Sequence, residues 1–180
     1  SIGEVVLMST IDLIVLGMLK KQSLSAYDIQ KLVKYRNISK WVKISTPSIY
    51  KKVIQLEKKG LIKGSAVKEG NMAEKAVYSL TESGQKVFED LMQEIACEPI
   101  NFFLDFNAVI VNLDSLPDDE QKKCLASIKS NIQSLKETLE ENLNEKEGIE
   151  EIPANGMAVL EQQYKLVQAI ETWSNSFSEK

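Results

Sequence analysis

The 180 residues carry 22 Lys+Arg against 26 Asp+Glu, 43% hydrophobic residues and no histidine, the balance of an ordinary globular protein. Without histidine, Ser-His-Asp and Cys-His catalysis fall away, and so does the commonest metal ligand. The two cysteines, Cys97 and Cys124, lack CxxC spacing and read as reduced, partly buried thiols rather than a disulfide or zinc site. No cofactor is expected.

The chain is read in order from its apolar periodicity. A first helix is expected from Ser9 or Thr10 to Lys21, with Ser9 and Asp12 as a capping pair and Ile11, Ile14, Val15, Met18 and Leu19 inward. Ser25 and Asp28 repeat the capping pattern to open a second helix over 26–35, with Ile29, Leu32 and Val33 inward. A third helix over 47–59 has Thr46 as N-cap, Pro47 in its first position and Gly60 past its end. Ile49, Val53 and Leu56 form its buried stripe, which predicts Ser48, Lys51, Lys52, Gln55 and Lys59 on the other side. The period then changes, and 61–67 and 75–80 read as strands of a β-hairpin around the turn at 68–71. Thr81 caps a fourth helix over 82–96 with Val87, Phe88, Leu91, Met92 and Ile95 in register.

Beyond Pro99 the composition shifts. Residues 100–113 are apolar and aromatic and are read as a helix, and a long helix follows to about Lys146. Leu125, Ile128, Ile132, Leu135, Leu139 and Leu143 line one seam of it. After a loop over 148–156, a last helix over 157–177 repeats the seam with Met157, Leu160, Tyr164, Val167, Ile170, Trp173 and Phe177. The longest apolar run, 11–19, is broken by Asp12 and too short to span a bilayer, and nothing reads as a signal peptide, so a cytoplasmic location with no membrane partner is expected.

Three helices followed by a β-hairpin is the order of a winged helix-turn-helix, whose second motif helix presents its N-terminal residues to base edges. The fold class expected is therefore mostly α with a small β-hairpin wing. Residues 1–96 would form the winged helix-turn-helix, and residues 97–180 an antiparallel helical dimerisation region. Charge supports that division. Residues 1–90 hold 15 Lys+Arg against 9 Asp+Glu, and residues 91–180 hold 7 against 17, so the basic half suits phosphates and the acidic half does not. Candidate DNA contacts are Ser48, Lys51, Lys52 and Gln55 on the third helix, with Lys63, Lys68 and Lys75 on the wing. The bland alternative is a solvated basic face.

The stretch from Ile11 to about Met92 resembles the PadR family of transcriptional regulators. The resemblance is carried by 14–19 (IVLGML), 24–29 (LSAYDI), 45–50 (STPSIY), 56–62 (LEKKGLI) and 78–84 (YSLTESG), five pieces in order. It implies that Tyr27, Ser48, Tyr50 and the helix start at Thr46 lie at the DNA surface. It also implies C-terminal helices shared with a second subunit, and repression of promoters until an effector or stress signal releases them. Tyr27 and Tyr50 have a second reading as covers for a small core.

An apolar stripe on so long a helix must be covered, which makes Leu125, Ile128, Ile132, Leu135, Leu139, Leu160, Tyr164, Val167, Ile170, Trp173 and Phe177 the candidate dimerisation residues. A two-fold dimer would space two reading heads for a palindromic double-stranded operator. Phe102, Phe103, Phe106, Trp173 and Phe177 are read as core, with a small-molecule effector cavity as their alternative use. A protein–protein scaffold built on a winged-helix module is the second functional reading. No Gly-rich phosphate loop or nucleophile with a base supports an enzyme.

Overall fold

Ser9 and Asp12 close the first helix, α1 (Thr10–Lys21), as a capping box: the Ser9 amide and hydroxyl donate to Asp12 Oδ2 at 2.7 and 2.9 Å. The computed structural model describes residues 8–44 and 49–178. The chain divides into two units, residues 1–100 and 101–180.

In the first unit α1 is the central element. Ile11, Val15, Met18 and Leu19 are buried as their spacing predicts, but Leu16 is also fully buried while Ile14 is only half-buried. A helix touched by both α4 and the hairpin has no single inward stripe, so periodicity understates its buried face. Gly17 allows close approach: a Cβ there would lie 3.3 Å from the Phe88 ring. The second helix, α2 (Ala26–Tyr35), starts on the expected box, with the Asp28 amide donating to Ser25 Oγ at 3.1 Å. One 3-10 turn (Ile38–Lys40) buries Ile38 and leads to Trp41, whose indole N–H donates to the Arg36 carbonyl at 3.0 Å.

The third helix, α3 (Ile49–Lys58), buries Ile49, Val53 and Leu56, the predicted stripe. Its expected beginning at Thr46, Pro47 and Ser48 lies outside the described residues. Gly60, with φ +74°, ends it in the left-handed region. Strands β1 (Ile62–Val67) and β2 (Lys75–Leu80) pair antiparallel from Ile62 with Leu80 to Val67 with Lys75. A bridge between Leu24 and Tyr78, with N–H to O distances of 3.1 and 2.8 Å, ties the start of α2 to the hairpin.

The fourth helix, α4 (Glu82–Ala96), is capped by Thr81, whose Oγ1 accepts from the Gly84 amide at 3.0 Å and donates to the Gly60 carbonyl at 2.7 Å. Gly84 sits so close to the loop after α3 that a Cβ would overlap the Leu61 carbonyl. Leu91 is buried as expected, whereas Met92 is exposed.

In the second unit the expected helix over 100–113 is reduced to the single turn α5 (Asn107–Ile110) and a 3-10 turn (Leu113–Ser115). The segment is rich in apolar residues but has no helical period. Phe102 and Phe103 are 71% and 75% exposed, against the expectation that they fill a core. Helix α6 (Asp118–Lys146) follows Pro117, with Asp118, Asp119 and Glu120 in its first turn, where carboxylates complement the positive end of the helix. Helix α7 (Ala154–Ser178) starts three residues earlier than the sequence suggested.

Helices α6 and α7 pack antiparallel, since Lys136 pairs with Glu171 at 2.9 Å while the Tyr164 hydroxyl donates to Glu140, further along α6, at 3.4 Å. The Glu171 hydrogen bond raises the Lys136 pKa above its usual value, against a smaller opposing effect of burial. Ile128, Ile132 and Val167 are buried between the two helices, with Phe106, Ile110, Leu139, Tyr164 and Ile170 packed around them. These three seam residues are buried within the chain itself. Leu125, Leu160 and Phe177 are half-buried, while Leu135 and Trp173 are exposed. Phe106, Trp173 and Phe177 stack on one another, with ring centroids 5.9 and 5.4 Å apart.

Candidate nucleic-acid interface

Helix α3 turns by about 100° per residue, so Lys51, Ile54 and Lys58 stand opposite the stripe of Ile49, Val53 and Leu56, with Gln55 beside them. All four are exposed, and so is Tyr50 on the flank. Lys52 departs from expectation. It lies about 100° beyond Lys51, next to the stripe, and its ammonium meets Asp12 Oδ1 at 2.9 Å, with 12% and 3% of the two side chains exposed. Asp12 accepts from Ser9 through one oxygen and from Lys52 through the other, so one buried carboxylate both caps α1 and anchors α3. Lys52 is thus not on the outward face.

The wing is tied to α3 by Glu57, whose Oε2 accepts the Gly64 amide at 2.9 Å. A Cβ on Gly64 would lie 2.8 Å from that oxygen and 3.0 Å from the Tyr78 ring, so β1 is glycine where α3 and the second strand close on it. Lys63 on β1, Lys68 in the turn and Lys75 on β2 are exposed, as expected. Tyr27 is exposed in the first turn of α2. Beside it, the hydrogen bond from the Ser25 side chain holds the Asp28 carboxyl below its usual pKa. Burial opposes this, and the backbone of Ser25 and the charges of Lys75 and Lys31 reinforce it. Lys75, which pairs with Val67 at the turn end of the hairpin, therefore bears electrostatically on the start of α2.

Thr46 and Ser48 lie outside the described residues, so their placement rests on the sequence. Two features escaped the sequence reading. Between Asp28 and Glu57 there are seven cations and no carboxylate, and Lys31, Lys34, Arg36 and Lys40 on α2 and the turn after it are exposed. The sequence signal for this gap in carboxylates is the charge run itself. Ile54, 64% exposed, lies off the stripe, where apolar periodicity assigns no role.

Cys97 is exposed rather than partly buried, and Cys124 is half-buried. Among the described residues, no three of His, Cys, Asp or Glu gather to hold a metal ion, and no helix is long and apolar enough to cross a membrane. A polar cleft between α6 and α7 is lined by Lys129, Ser130, Gln133, Glu171, Ser174 and Asn175 together with Ile132, and by none of the aromatic residues considered for an effector cavity.

A helical hairpin of α2 and α3 with an exposed basic face, followed by an antiparallel wing braced against it, defines a winged helix-turn-helix protein. Residues 15–90 match the Transcriptional regulator PadR-like family, and this winged-helix domain belongs to it. No curated protein matches the chain in sequence. Among solved structures, Bacillus subtilis PadR in complex with operator DNA is similar over 95% of this chain and 97% of its own, at 22% identity and a TM-score of 0.78. The same protein in complex with p-coumaric acid is similar over 94% and 96%, at 21% identity and 0.77. The Vibrio cholerae virulence activator AphA is similar over 93% and 95%, at 17% identity and 0.69. At these identities the likeness establishes the fold.

Proposed function

We propose that the chain is a cytoplasmic, homodimeric transcriptional repressor that binds a palindromic double-stranded operator through its first unit. The observation that carries this reading is the outward face of α3, where Lys51, Gln55 and Lys58 stand clear of the core beside a wing bearing Lys63, Lys68 and Lys75. Lys51, Lys63, Lys68 and Lys75 neutralise phosphates, which supplies affinity without sequence preference. Ser48 and Gln55 read base edges, and Tyr27, Tyr50 and the helix start at Thr46 approach the backbone. Lys52 takes no part in direct contact. The acidic second unit pairs with a second copy and sets the half-site spacing. Because Bacillus subtilis PadR is known both with operator DNA and with p-coumaric acid, we further propose that a small molecule releases this chain from its operator.

Four lysines on each of two protomers predict that log K falls with log salt at a slope of about −7 on the promoter of its own gene. Affinity independent of salt would sink the reading. A protein–protein scaffold would keep its activity when Lys51 is reversed to Glu, whereas the regulator would lose its operator.

A further inference from the structure

Ile54 is an apolar, β-branched residue on a helix face that is otherwise polar and basic. It is 64% exposed, and Lys51 and Lys58 stand one turn before and after it, with Gln55 alongside. Single exposed apolar side chains are ordinary on protein surfaces. Ile54 differs in its place. A branched side chain is less favourable than Lys, Arg or Gln in an exposed helix, and here it gains no burial in return. It also occupies the centre of the surface whose neighbouring lysines match a polyanion.

The major groove offers one apolar feature among its donors and acceptors, the C5 methyl of thymine. We propose that Ile54 is a specificity-determining residue that packs against a thymine methyl in each half-site. The inference deepens the DNA-binding reading above and rests on it. Gln55 and Ser48 discriminate through hydrogen bonds, whereas Ile54 selects by shape and dehydration. The two kinds of readout therefore respond to different changes in the base.

The test uses the full chain to enrich duplexes from a random-sequence library, then replaces each thymine of the recovered site by uracil, which lacks only the methyl. One uracil position per half-site weakens binding of the unaltered protein about fourfold, the factor one buried methyl-sized group is worth. Ile54→Ala loses that sensitivity at the same position and keeps its response elsewhere, while Ile54→Val retains most of it. Because Ile54 is exposed, both variants melt with the unaltered protein.

The inference is overturned if no uracil weakens binding or if Ile54→Ala remains equally sensitive at that position. It is also overturned if Ile54→Ala changes the sedimenting mass, which would set the side chain against a second copy instead. Failure to enrich any duplex, or binding that ignores salt, is a separate outcome: it removes the DNA-binding reading and this inference with it.

Discussion

Lys51 and Lys52 are neighbours in sequence and opposites in role, because one residue's rotation of α3 moves a side chain from solvent to the edge of the core. Lys51→Ala removes one phosphate contact from each protomer, so the salt slope of operator binding weakens by about 2 while the melting temperature stays unchanged. Lys52→Ala does the reverse. It leaves the Asp12 carboxylate buried with only Ser9 donating to it, and costs on the order of 3 kcal/mol in urea unfolding with an unaltered salt slope. A slope that falls for Lys52→Ala would return that residue to the interface. The sequence shows both lysines and hides the difference. Asp12 lies 40 residues upstream of Lys52, and as half of a capping box it already had a sufficient local explanation. Ile54 was hidden in another way, since periodicity identifies what is buried and is silent about an apolar residue placed outside.

At the scale of elements, the sequence was most legible where one local rule decides the structure. The two capping boxes, Gly60 and the switch to a period of two set α1, α2, the end of α3 and the hairpin where the structure has them. The segment over 100–113 shows the converse, because apolar content without a repeat does not make a helix, and only α5 forms. Joints between elements were not legible. Gly84 reads in the sequence as an ordinary residue of the first turn of α4, yet that turn lies against the Leu61 carbonyl with no room for a Cβ. Gly84→Ala therefore pushes α4 off the loop that ends α3, and overpacking of this kind costs about 2 kcal/mol. The melting temperature of the first unit should fall by about 10 °C or more. An unchanged melting temperature in a calorimetric scan would show that the joint relaxes freely.

For the molecule as a whole, the two units differ in what they bury. The first encloses a continuous core around α1. In the second, the buried side chains among the described residues are Leu113, Ile128, Ile132, Val167 and Ser174, while the seam residues Leu135 and Trp173 stay exposed, Leu135 by half. Two helices have one mutual face, so a long antiparallel pair leaves apolar surface that a second copy can cover. The second unit is also where the carboxylates concentrate, 15 against 7 cations over residues 101–180, which keeps it off phosphates and suits it to hold reading heads apart. On this argument the chain sediments at twice its 20.2 kDa. The variant Leu135→Glu introduces charge on the exposed part of the seam without touching Ile128, Ile132, Val167 or the stack of Phe106, Trp173 and Phe177. It shifts the protein to the monomer while the first unit still melts as before. Operator affinity then drops, and the salt slope falls to about half, because each monomer meets the phosphates of one half-site. A monomer that kept the full slope would mean that one protomer spans the whole site, and the second unit would have to be assigned some use other than pairing.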